Sequence, residues 1–96
     1  MTASERLTLL KADLQLTTNA NNDLLDFLLI QAKENMEIEG ITDDGSSAYE
    51  GCLKDYAAYL FRKRAADSSG GKEGATAMPR FLRWELNNLL FKQKST

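Results

Sequence analysis

The residues able to carry chemistry are few, and the first observation is a gap: the chain has no histidine. Imidazole is the commonest general base near neutral pH and the commonest nitrogen ligand for metals. Cys52 is the single thiol. It has no partner for an internal disulfide or for zinc held by paired thiolates. Its position on a helical apolar stripe marks it as core packing, a reduced thiol suited to the cytosol. Glu34, Glu37, Glu39, Asp43 and Asp44 gather carboxylates, yet they lack the alternating ladder, glycine and closing glutamate of a calcium loop. Gly70-Gly71-Lys72-Glu73-Gly74 has no Gly-x-x-x-x-Gly-Lys-Ser/Thr order and no preceding strand, so it reads as a linker. The expectation is a protein without catalysis, cofactor or metal.

Binding chemistry remains. Arg62, Lys63, Arg64, Arg80, Arg83, Lys92 and Lys94 give the C-terminal part a basic cluster able to meet phosphates. The plainer reading is cations complementing a helix C-terminus and forming a solvated face. Trp84 lies between the two halves of an apolar stripe, and its role as core or as interface anchor stays open. Residues 1–50 carry three basic against ten acidic side chains, a net of −7, and residues 51–96 carry nine against four, a net of +5. Opposed charge on one small subunit suits head-to-tail pairing with copies of itself. Separate solvated faces would give the same numbers.

The elements that position these residues are helical. At 96 residues and 43% hydrophobic content the chain makes one domain with one core, spanning residues 1–96. Thr2-Ala3-Ser4-Glu5 matches a capping box and opens a helix to about Leu16, with Leu7, Leu10 and Leu14 inward. A polar break follows at Thr17 to Asn22. A second helix runs to Glu39 on the stripe Leu25, Leu28, Leu29, Ala32 and Met36, and Gly40 ends it. Leu24, Phe27 and Ile30 widen that stripe until its first half is apolar almost all round, which asks for a neighbour. Ser47-Ala48-Tyr49-Glu50 reads as a second capping box. It opens a helix with Tyr49, Cys52, Leu53, Tyr56, Ala57 and Leu60 inward, ending in Arg62-Lys63-Arg64. Residues 67–76, with glycines, serines and no large apolar side chain, are predicted to be a mobile loop. The last helix starts at Pro79 and buries Phe81, Leu82, Leu86, Leu89 and Leu90, fraying from Lys92. The predicted fold is all-α, a bundle of about four helices with a flexible loop before the last.

The polar start, Met1 to Glu5, lacks the basic-then-apolar order of a secretory leader. The longest apolar run, Phe27 to Ile30, is far short of the roughly 20 residues that cross a membrane.

Two segments carry a resemblance. Asp55-Tyr56-Ala57-Ala58-Tyr59-Leu60-Phe61-Arg62-Lys63-Arg64 is followed, after the Gly-rich gap, by Met78-Pro79-Arg80-Phe81-Leu82-Arg83-Trp84-Glu85-Leu86-Asn87-Asn88-Leu89-Leu90-Phe91. With the leucine-rich first helix and Asp-Leu-Leu opening the second, this pattern resembles the small head–tail connector (head completion or adaptor) proteins of long-tailed bacteriophages. The resemblance implies a helical subunit closing into a ring of roughly twelve copies under the portal protein. That ring would extend the DNA channel and dock the next connector, stopper or tail protein, while DNA passes without specific binding and no membrane is involved. It implies assembly in the host bacterial cytoplasm and a final place at the head–tail junction of the virion. Phe27, Arg62, Arg80, Arg83 and Trp84 are the expected protein-binding residues. The competing expectation is a small helical DNA-binding regulator. Against it, the last interhelical connection is too long for a helix-turn-helix, and Asn87 and Asn88 lie in mid-helix.

Overall fold

The computed structural model describes residues 1–68 and 78–94, and the side chains of these except 65–68. Four helices make up the fold: α1 (Ala3–Leu14), α2 (Asn22–Ile38), α3 (Ser47–Ser68) and α4 (Arg80–Lys94). No strand occurs among the described residues. The central element is α3, against which α1, α2 and α4 all pack; α1 and α2 also pack on each other.

Several of the helix ends have a local reason. The Thr2 hydroxyl accepts from the Glu5 N–H at 3.1 Å and the Glu5 carboxylate accepts from the Thr2 N–H at 2.8 Å, the predicted reciprocal cap. α1 stops at Leu14, before the predicted Leu16, because Gln15 adopts a left-handed φ of 59° and the Leu16 N–H folds back on the Lys11 carbonyl. At the end of α2, Gly40 takes φ +95°, its N–H reaches the Glu37 carbonyl and that of Ile41 reaches Met36, closing the helix as predicted. The α3 cap is one residue earlier than expected. Ser46, not Ser47, accepts from the Tyr49 N–H at 3.0 Å. Glu50, predicted to complete that box, is drawn instead to Arg6. α3 also outruns its predicted end, since Ala65 and Ala66 are strong helix formers. Asp67 and Ser68 are therefore helical; the rest of the predicted mobile loop lies outside the described residues.

The core contains the α2 stripe as predicted, with Leu25, Leu28, Leu29, Ala32 and Met36 all buried. From α3 it takes Tyr49, Cys52, Leu53, Tyr56 and Ala57, while Leu60 is half-buried at the margin. From α1 only Leu10 is buried, with Leu7 and Leu14 packed beside it. Ile41 also enters the core, placed there by the turn at Gly40. On α4, Leu82, Leu86 and Leu89 are buried and Leu90 is half-buried. Phe81, expected inside, points outward: it sits one position, about 100° of helix rotation, from Leu82.

The Tyr49 hydroxyl is buried without a hydrogen-bond partner among the described residues, and burial pushes its pKa up to about 12. An unpaired buried hydroxyl costs stability that a phenyl ring does not. Tyr49→Phe is expected to be neutral or to stabilise by up to about 1 kcal/mol in urea denaturation; a loss beyond about 1 kcal/mol would reveal a partner for that hydroxyl.

Candidate functional site

A three-way ion pair fixes the relation of α1 to α3 and the loop between α2 and α3. Arg6 Nε and Nη2 donate to the two Glu50 oxygens at 2.8 and 2.7 Å, and Nη2 also donates to Asp43 at 2.8 Å. Glu50 is buried, and its bidentate contact is the geometry only a guanidinium fork provides. This cluster is consumed in the fold, as are several pairs across the acidic and basic halves. Lys54 meets Asp13 at 3.2 Å, Arg62 meets Asp13 at 3.6 Å, and Arg83 donates to both Glu39 oxygens at 3.0 Å; Lys54 also meets its neighbour Asp55 at 2.9 Å, within the basic half. Part of the sequence's charge asymmetry is thus neutralised within the subunit.

What the fold leaves outside is apolar and one-signed. On α2, Phe27 and Ile30 are 57% and 60% exposed, accompanied by exposed Asp23, Asp26, Glu34 and Glu37. On α4, Phe81, Trp84 and Phe91 are 54%, 67% and 76% exposed. Positions 81, 84, 88 and 91 fall on one side of a helix turning about 100° per residue, so the aromatics form a second stripe, distinct from the core-facing leucines. Arg80, Arg83 and Lys94 flank them, all exposed. Trp84 is therefore surface, not core. Between α1 and α2 opens a groove of 610 Å³ lined by Leu7, Leu29, Ile30 and Leu53, with Arg6, Asp26 and Lys33 among its polar walls.

Of the five predicted contact residues, Arg80, Arg83 and Trp84 come together on α4. Phe27 sits on α2, about 18 Å along that helix from Glu39, where Arg83 bonds. Arg62, on α3, is placed apart from both, beside Asp13 of α1. Phe81 and Phe91 belong with Trp84 and were missed; their spacing of i, i+3 and i+10 was the available signal.

Reactive groups are muted. The Cys52 thiol is fully buried, and desolvation pushes its pKa up to about 12, which suppresses thiolate chemistry. Among the described residues no group of three or more acidic or thiol side chains is arranged to hold a metal ion. No helix among them is long and apolar enough to cross a membrane.

One carboxyl group, that of Glu85, is titratable in a useful range. Glu85 of α4 has its pKa raised to about 7, first by burial and then by the hydrogen bond and repulsion from Asp55 on α3, with Lys54 opposing. The folded state therefore holds the Glu85 proton more tightly than the unfolded chain. This contribution to stability is complete below pH 4.5, the ordinary value, and is lost as pH rises through about 7. Glu85→Gln is expected to raise the melting temperature at pH 8 and leave it unchanged at pH 4. A variant whose stability tracks the parent at both pH values would sink this account.

Comparison with protein-family models, with curated proteins and with solved structures finds no match.

Proposed function

We propose that this chain is a non-enzymatic assembly subunit, a head–tail connector of a long-tailed phage or prophage, that forms a ring beneath a portal protein. Such a ring would prolong the DNA channel and offer a docking surface to the next connector, stopper or tail component. The observation that carries the reading is the outward aromatic stripe of α4. The segment on which the connector resemblance rests is also the one that exposes Phe81, Trp84 and Phe91 beside Arg80. Large aromatics next to arginines are the side chains that dominate protein–protein contacts. A free-standing domain gains nothing from keeping them in water.

The mechanism would be mechanical, with Phe27, Arg80 and Trp84 meeting neighbouring proteins. Arg62 and Arg83 would do so by exchanging their internal carboxylate partners, Asp13 and Glu39, for external ones. The test is genetic and biochemical together. The gene should lie beside portal and capsid genes, and the purified chain should co-elute with that portal in gel filtration. A neighbourhood without a portal gene, or a portal that leaves the chain in the monomer fractions, would overturn the reading.

A further inference from the structure

We infer that two copies of this chain pair unlike faces: the outward face of α4 in one copy seats on the outward face of α2, beside the α1–α2 groove, in the next. The inference rests on the assembly reading above and names the surfaces that carry it.

The two faces complement each other in charge. Asp23, Asp26, Glu34 and Glu37 are exposed on α2, and none forms an ion pair among the described residues. The only acid on α4 is Glu85, which is turned toward Asp55 of α3, so the outward face of α4 carries cations alone. Pairing α4 with α4 would set arginine against arginine, and pairing α2 with α2 would set carboxylate against carboxylate. Like-charge contacts of that kind disfavour both symmetric arrangements.

The apolar parts match as well. From Phe81 to Phe91 the aromatic stripe is about 15 Å long, and Asp23 to Glu37 covers about 21 Å of α2. Phe27 and Ile30 supply apolar surface on α2, and the groove beside Ile30 has an aliphatic floor of Leu7, Leu29 and Leu53. Trp84 is the anchor that such a groove takes, a flat ring with apolar faces. Because the faces differ, every pair leaves one face of each kind open, and addition continues until the chain of copies closes.

Complementation tests this directly. Trp84→Glu spoils only the α4 face and Ile30→Arg only the α2 face; both positions are exposed, and circular dichroism melting checks that each variant keeps its fold. In analytical ultracentrifugation the parent chain should self-associate at high concentration. Each variant alone should lose that association by about 30-fold or more. Mixed in equal amounts, they should form a heterodimer through the one intact pair of faces and nothing larger. Unchanged association of either variant would overturn the pairing, as would dimers of a single variant or a mixture that stays monomeric. A parent chain monomeric at every concentration would also overturn it. That outcome would leave co-elution with a portal standing as a separate result, so the connector reading can survive the loss of the pairing.

Discussion

Arg6→Ala is expected to lower stability by about 2–3 kcal/mol, because it leaves the buried Glu50 carboxylate without its counter-ion. In a domain of this size that corresponds to a fall in melting temperature of roughly 10–20 °C. Asp43 loses its partner in the same step, so the loop that leads into α3 loosens too. Arg6→Lys should recover only part of the loss, since an ammonium cannot donate to both Glu50 oxygens in the parallel manner of a guanidinium. Replacing both residues, Arg6→Met with Glu50→Met, should recover most of it, because no unpaired charge then remains buried. Urea denaturation of the three variants reads this out. An alanine variant within about 0.5 kcal/mol of the parent would show the pair to be solvated and of little worth.

Leu86→Ala should act elsewhere and differently. Leu86 is fully buried on α4, and a leucine truncated there costs about 2–5 kcal/mol through lost transfer energy and the cavity left behind. α4 meets the rest of the bundle through Leu82, Leu86 and Leu89 on α3, with polar ties at its two ends. Those ties are Arg83 with Glu39, and Gln93, whose amide donates to the Thr42 carbonyl at 2.7 Å and accepts from the Thr42 N–H at 2.9 Å. The loss should therefore fall first on α4, as local opening, with α1–α3 still protected. Amide exchange should quicken on α4 well before it does at Leu25 or Leu53. Equal loss of protection over all four helices would mean that the bundle opens only as a whole.

How far the sequence reveals the molecule depends on how many apolar faces a helix carries. α3 has one principal inward stripe, and α2 a stripe fixed by Ala32 and Met36, so most of their buried apolar residues could be read from spacing alone; Ala58 and the ion-paired Glu50 of α3 are buried besides, and Leu60 stays at the margin. α4 has two. Phe81 and Leu82 are neighbours in sequence and equally apolar, and only the position of α3 decides which of them goes inside. The same ambiguity left Trp84 open, and the packing turns it outward. The α3 cap falls at Ser46 and not at Ser47, and Glu50 turns from its own helix terminus to Arg6, which lies 44 residues away. Pairs such as Arg83 with Glu39 are equally non-local, and no periodicity signals them. Of the site, the aromatic and basic residue types were legible in the chain. Their grouping on one side of α4, and the groove between α1 and α2, required the fold.

The single thiol gives this arrangement a clock. Cys52 is sealed in the core within electrostatic reach of Glu85 and Arg83 on α4. A disulfide-exchange reagent in solution cannot touch it while the core is closed, and the raised pKa keeps the closed-state thiol inert. Where reclosing is fast, the modification rate divided by that of an unstructured thiol gives the fraction of time the core around Cys52 stands open. One intrinsic cysteine thus times the opening of the bundle's core, without labels or added mutations, and would register any partner that holds the bundle closed.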